Sequence, residues 1–97
     1  MQNAGLLNKR VRVIITGRVQ GVSFRARTKS TAESLGLTGW VRNLPGGEVE
    51  AVFEGPENKI REMVEWCRRG PRMAEVAGIQ ATEEDWRGEY RDFRIKF

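Results

Sequence analysis

The feature that most constrains the fold is the order in which two hydrophobic periodicities follow each other along the chain. Residues 11–16, VRVIIT, place valine and isoleucine at alternate positions, which is typical of a strand. Residues 24–35 instead carry small or apolar side chains at helical spacing, and the same change recurs between residues 48–54 and 60–67. These changes predict two helices, each placed between strands.

Residues that start and stop elements set the limits of these segments. Ser23 is positioned to cap the first helix and Gly36 to end it. Pro56 fits the first turn of the second helix, which Gly70 and Pro71 end. Both helices therefore have a defined start and a defined end.

The remaining strands complete an α+β pattern. Residues 37–43 and 48–54 flank a Pro-Gly-Gly turn and predict a hairpin, residues 76–82 a fourth strand, and residues 92–97 a short last strand. Two right-handed crossovers that share one sheet place both helices on the same face. We therefore expect a ferredoxin-like split β-α-β sandwich, ordered βαββαβ plus a short C-terminal strand, with a mixed, mainly antiparallel sheet.

Length and composition predict one domain over residues 1–97, with about residues 1–8 as a flexible extension. The first ten residues lack the apolar length of a signal peptide or a membrane span, so no membrane partner is expected. A single cysteine, Cys67, cannot form a disulfide within the chain, which favours a cytoplasmic location. We also expect a monomer.

The absence of histidine limits the chemistry. It excludes His-based general-base catalysis and Cys/His nucleophile pairs, and one cysteine excludes thiolate zinc sites. We expect no metal site and no cofactor. The net charge of +4 favours an anionic partner, and nucleic acid, phosphate metabolites and simple solubility all remain open.

The segment TGRVQGVSFR, residues 16–25, connects the first strand to the first helix. Gly17 and Gly21 allow tight or left-handed backbone, so that successive N–H groups can converge on phosphate oxygens at the helix N-terminus. Arg25, in the first helical turn, can bind two oxygens of the same phosphate. The alternative is a strand-to-helix turn with solvated arginines and no ligand. The glycine pattern alone does not distinguish this turn from a phosphate-binding loop.

Two long motifs carry a resemblance. ITGRVQGVSFR, from Ile15 to Arg25, resembles the first signature of the acylphosphatase family, and GWVRNLPGGEVEAVFEG, from Gly39 to Gly55, is similar to the second. The likeness extends from about Val11 to Phe97. It implies hydrolysis of the carboxyl-phosphate bond of acyl phosphates to a carboxylate and inorganic phosphate, without metal or organic cofactor.

The resemblance also implies the site. Arg25 binds the phosphate, Asn43 positions the attacking water, and backbone amides of the loop supply further phosphate donors, at Gly17, Arg18, Val19, Gln20, Gly21 and Val22. A second strand next to the first would bring Asn43 close to this loop. Leu44 follows Asn43 where some members of the family carry a hydroxyl residue, which puts the rate in question more than the reaction. No named residue contacts the acyl end, so broad specificity is expected.

The other polar and aromatic residues considered have expected structural roles. We expect the side chain of Gln20 to shape the loop by hydrogen bonding, Arg27 to face away from Arg25, and Trp40, Trp66 and Trp86 to pack.

Two alternatives stay open. A nucleic-acid-binding sheet would need exposed aromatic residues in its first and third strands, where this chain offers only Phe53 on an apolar face. The chain could also resemble the N-terminal, carbamoyl-phosphate-handling domain of hydrogenase-maturation carbamoyltransferases. Those proteins continue into zinc-binding and larger catalytic regions, whereas this sequence stops at Phe97, so a free-standing enzyme without a nucleic-acid partner is the expectation.

Overall fold

The computed structural model describes residues 7–97, and its elements follow the predicted order. They are β1 Asn8–Arg18, α1 Phe24–Ser34, β2 Thr38–Asn43, β3 Val49–Pro56, α2 Glu57–Arg69, β4 Glu75–Glu84 and β5 Phe93–Lys96. Residues 1–6 of the expected flexible extension lie outside the described residues, and Asn8 already belongs to β1. Within residues 7–97, no helix is long and apolar enough to cross a bilayer.

The five strands form one sheet in the order β4-β1-β3-β2-β5. The pairs β1–β4, β1–β3 and β2–β3 are antiparallel, and β2–β5 is parallel. Helix α1 packs on β2 and β5, α2 packs on β1, β3 and β4, and the helices contact each other. The predicted ferredoxin-like sandwich with a mixed, mainly antiparallel sheet is confirmed.

The core lies between the helices and one face of the sheet. Alternate residues of β1, β2 and β3 enter it together with the apolar stripes of both helices, including Val13, Ile15, Phe24, Val41, Phe53, Met63 and Cys67. Burial of a large apolar side chain stabilises the fold by roughly 1.5–3 kcal/mol. Burial also raises the pKa of the Cys67 thiol to about 12, which makes it unreactive core filler.

Two of the three tryptophans pack as expected. Trp40 is 6% exposed, and Trp66 lies edge-on to Phe24 with ring centroids 5.6 Å apart. The expectation is wrong for Trp86, which is 45% exposed in the connection between β4 and β5. Since that connection runs over the surface, its residues have few neighbours to pack against.

The helix-free face of the sheet carries buried charge. Arg10 of β1 makes ion pairs with Glu54 of β3 at 3.1 Å, with Glu84 at 2.9 Å and with Glu89 at 2.6 Å. Burial alone would lower the pKa of the Arg10 guanidinium, but hydrogen bonds to these carboxylates raise it. Arg10 is therefore a permanent cation that the structure neutralises internally.

The connection between β4 and β5 is fastened to this face through Glu54. The backbone N–H groups of Arg87, Gly88 and Glu89 donate hydrogen bonds to the Glu54 carboxylate at 3.2, 3.3 and 3.2 Å. Gly88 has a φ of +61°, a left-handed conformation that helps consecutive N–H groups to point the same way. We call residues 87–89 the filled amide nest.

Candidate functional site

The first and second predicted motifs meet at one edge of the sheet. Strands β1 and β2 run in the same direction, because each is antiparallel to β3, and Ile15 and Asn43 both pair with Val49. The expectation that β2 lies next to β1 is wrong, since β3 separates them. Two strand spacings amount to about 10 Å, a distance that the loop after β1 can bridge.

Strand β1 continues further into the predicted loop than expected. Gly17 and Arg18 pair with Val76 and Glu75 of β4, after a register shift between Thr16 and Gly17. A Cβ at position 17 would lie 2.2 Å from the Glu75 carbonyl oxygen, and φ is +120°, so glycine is required there. The connection itself is therefore shortened to residues 19–23.

This connection, residues 19–23, contains two left-handed residues. Gly21 has a φ of +75° and Ser23 a φ of +64° with ψ +24°. Ser23 occupies the N-cap position of α1, but its hydroxyl makes no capping hydrogen bond, so the predicted side-chain cap is wrong. Left-handed backbone at Ser23 costs roughly 1–2 kcal/mol. Such backbone next to helical residues lets N–H groups converge on an anion.

Gln20 fastens the connection to the β2–β3 turn. Its side-chain amide donates hydrogen bonds to the carbonyl oxygens of Leu44 at 2.8 Å and Glu48 at 2.9 Å. The expected hydrogen bonding by Gln20 is confirmed, although its partners lie in the other motif. These two hydrogen bonds hold the connection that contains Gln20 against the turn that follows Asn43.

A cavity of about 180 Å³ lies between the connection, the start of α1 and the end of β2. Of the predicted site residues it is lined by Val19, Gly21, Arg25 and Asn43. Gly17, Arg18, Gln20 and Val22 are not among its lining residues. The structure therefore brings the predicted arginine and asparagine to one concavity, although they are 18 positions apart in sequence.

Two polar side chains at the cavity, Arg25 and Asn43, have groups without polar partners in the part of the chain that the structure describes. Within residues 7–97, the half-buried guanidinium of Arg25 makes no hydrogen bond or ion pair with a side chain, and the Phe97 ring lies over it at 5.0 Å. The side-chain oxygen Oδ1 of Asn43 is buried without a hydrogen-bond donor in the described part of the chain. A buried acceptor left unpaired costs about 1–3 kcal/mol, which a bound water or ligand would recover.

Other arginines and a second cavity lie elsewhere. Arg42 points to the helix-free face and pairs with Glu50 at 2.7 Å, while the exposed Arg27 does not line the 180 Å³ cavity. A larger cavity of about 530 Å³ lies beside Trp40 and Tyr90 and contains neither Arg25 nor Asn43. No group of three or more cysteine or acidic side chains in residues 7–97 is arranged to hold a metal ion.

Sequence reasoning missed the contribution of β5 to the site. The alternation of Phe93, Ile95 and Phe97 predicts one apolar face, but it does not predict which strand lies beside it. Ile95 pairs with Val41 in the parallel β2–β5 ladder, so β5 ends at the same edge as Asn43. Both Ile95 and Phe97 line the cavity.

Comparisons with known proteins agree with this architecture. Residues 11–95 match the family model for acylphosphatase. An acylphosphatase of Syntrophobacter fumaroxidans is 55% identical over 89 residues, which are 92% of this chain and 92% of that protein. The solved structure of an acylphosphatase from Coxiella burnetii has a TM-score of 0.88 at 39% identity and covers 92% of this chain and 93% of that one.

A larger protein contains a related unit. Full-length HypF in the phosphate- and nucleotide-bound form has a TM-score of 0.82 at 26% identity, and the match covers 94% of this chain but 12% of HypF. The family model and the close relative, in contrast, match nearly the whole of this chain. The chain belongs to the acylphosphatase family.

Proposed function

We propose that this chain is a free-standing, single-domain acylphosphatase that works as a monomer in the cytoplasm, with its active site in the 180 Å³ cavity. Membership of the family supports hydrolysis of acyl phosphates to a carboxylate and inorganic phosphate. One observation carries the assignment of the site. Arg25, a cation without a carboxylate partner within residues 7–97, and Asn43, a buried acceptor without a donor in the same residues, line the same small cavity.

Arg25 and backbone amides hold the phosphoryl group in this proposal. The guanidinium binds two phosphate oxygens, and amides of Gly17–Val22 supply further donors, of which Val19 and Gly21 belong to residues that line the cavity. The dipole of α1 adds only about 0.3–1 kcal/mol at an exposed site, so the arginine and the amides dominate. Phosphoryl transfer depends mainly on such positioning and charge neutralisation.

Asn43 orients the nucleophile. Its Oδ1, which has no donor within residues 7–97, accepts a hydrogen bond from a water molecule, and this water attacks phosphorus in line with the bond to the acyl oxygen. An amide cannot take the proton, so a phosphate oxygen of the substrate accepts it. The P–O bond to the carboxylate breaks, and this weakly basic leaving group needs no general acid. The lack of histidine is compatible with this mechanism, and we propose that it needs no metal or cofactor.

The nucleic-acid alternative receives little support from the helix-free face. On β1 and β3 this face carries Arg10, Arg12, Glu50 and Glu54, which pair with each other, whereas Phe53 is buried in the core. Base stacking on a sheet requires exposed aromatic rings at these positions. We therefore propose a small-molecule substrate and no nucleic-acid partner.

Hydrolysis of benzoyl phosphate in the presence of EDTA, followed by ultraviolet absorbance, tests the role of Arg25. Wild type is compared with Arg25→Ala and with Arg27→Ala, a matched control on the same helix whose exposed side chain does not line the cavity. We expect turnover by wild type and Arg27→Ala and its near loss in folded Arg25→Ala. Turnover by folded Arg25→Ala at the wild-type rate would place the site elsewhere.

Asn43→Ala separates the positioning of water from the binding of phosphate. Because Asn43 touches the nucleophile in this mechanism, kcat should fall by about 10²–10³-fold, the cost of removing one well-placed polar contact. Inhibition by inorganic phosphate should keep nearly the same inhibition constant. Loss of phosphate inhibition with an unchanged kcat would contradict the assigned role.

A further inference from the structure

The apolar wall of the cavity is an extension of the core along β5. Phe93 and Ile95 of β5 and Phe97 directly after it lie at alternate positions, and the exposed fraction rises from 1% for Phe93, through half-buried Ile95, to 103% for Phe97. Ile95 and Phe97 line the cavity that also holds Arg25 and Asn43. One apolar surface therefore runs from the core to the mouth of the site.

The exposed ring of Phe97 also lies on Arg25. The guanidinium carbon is 5.0 Å from the ring centroid, within the range of a cation–π contact. Within residues 7–97, no N–H group of Arg25 takes part in a side-chain hydrogen bond or ion pair, so these groups stay available for phosphate oxygens while the ring lies beside them. Ring contact and phosphate binding can thus occur together.

The size of the cavity determines where an acyl group can go. Its volume of about 180 Å³ is below the roughly 300–1,000 Å³ of typical small-molecule pockets. A phosphoryl group placed at the polar end, by Arg25 and Asn43, leaves the acyl group to extend over the rim. Isolated exposed apolar residues are common, but Phe97 is distinguished by its place on this rim and its contact with Arg25.

We propose that Phe97 is a specificity-determining residue whose ring contacts the acyl group and favours aromatic over small acyl phosphates. The inference rests on the proposed function, because it takes Arg25 as the phosphate-binding group. It replaces the expectation of broad specificity, under which small and aromatic acyl phosphates would have comparable kcat/KM. Loss of an aromatic stacking contact corresponds to roughly a 2- to 10-fold change.

The test is the ratio of kcat/KM for benzoyl phosphate to kcat/KM for acetyl phosphate. We expect Phe97→Ala to lower this ratio by about 2- to 10-fold and Phe97→Tyr to restore it. Any loosening of Arg25 affects both substrates alike and cancels in the ratio. Met73→Ala is the matched control, since Met73 is 63% exposed and lies outside the cavity, and it should leave the ratio unchanged.

Different failures are distinguished by measuring Arg25→Ala in the same assay, with folding checked by circular dichroism. If Arg25→Ala loses activity and folded Phe97→Ala keeps the wild-type ratio, the inference about Phe97 is overturned and the proposed site stands. An equal fall of the ratio in Met73→Ala would overturn it as well. Full activity of Arg25→Ala would overturn both the site and the inference.

Discussion

Two arginines of this chain have opposite surroundings. Arg10 is 4% exposed and pairs with three carboxylates, those of Glu54, Glu84 and Glu89. Arg25 is half-buried and, within residues 7–97, has no carboxylate partner. A cation that the protein neutralises itself serves its structure, whereas one left without an anion in a cavity is available to a ligand.

The same contrast holds for the backbone. The filled amide nest, residues 87–89, donates three hydrogen bonds to Glu54 and fastens the β4–β5 connection. The connection of residues 19–23 also contains left-handed residues, but it borders a cavity instead of a carboxylate. Similar backbone chemistry thus fastens a carboxylate at one place and, in the proposed function, binds the phosphoryl group at another.

The largest effect is expected from Arg25→Ala. Arginine in phosphoryl transfer contributes about 10³–10⁵-fold in rate, so kcat/KM should fall by at least about 10³-fold. The thermal midpoint should stay close to that of wild type, because Arg25 makes no ion pair in the described residues. Assays of hydrolysis and thermal unfolding on the same samples check both parts. A large loss of stability in Arg25→Ala would show that Arg25, like Arg10, serves the structure.

Arg10→Met should show the reverse behaviour. Removal of one partner from a buried ion pair leaves an uncompensated charge, and the cost is about 3–5 kcal/mol. The free energy of unfolding in urea measures this loss, while kcat of the molecules that remain folded should be unchanged. A large fall in kcat without loss of stability would show that the two arginines are not separate in function.

A smaller effect is expected from alanine at the left-handed glycines Gly21 and Gly88. Each has positive φ, +75° and +61°, so each substitution should cost roughly 1–2 kcal/mol of stability. Only Gly21→Ala should also weaken inhibition by inorganic phosphate, because Gly21 lines the cavity and Gly88 belongs to the filled nest. Equal phosphate inhibition in both variants would argue against amide binding at the connection of residues 19–23.

The smallest effect concerns Glu84. Hydrogen bonds from Arg12 and Arg10 hold the pKa of its carboxyl below the ordinary 4.5. The charged form therefore stabilises the fold above pH 4.5, and this contribution is lost as the pH falls through the lower pKa of the folded state. At pH 7, Glu84→Gln should unfold at a slightly lower temperature than wild type. Its free energy of unfolding should be lower by less than about 1 kcal/mol. Melting curves from pH 7 to 3 should show the two proteins converging.

The sequence predicted the helices and strands better than it predicted the loop between β1 and α1. The alternation in β1 and β3 and the stripes of α1 and α2 predicted the elements because burial imposes those periods on the chain. The loop was less predictable, since Gly17 and Arg18 join β1 only by pairing with Val76 and Glu75 of β4. Pairing between distant strands has no local signal in the sequence.

The sequence by itself determined the order of the elements, the family and the identity of Arg25 and Asn43 as candidate site residues. Only the tertiary structure decided which groups are left without partners. Arg10 and Arg25 look alike in the sequence, yet one meets carboxylates and the other a cavity. The strand order also decided that Phe97 lies over Arg25. Whether a side chain is buried, paired or facing a cavity depends on its neighbours in space. Distant parts of the chain become neighbours only when the sheet has formed.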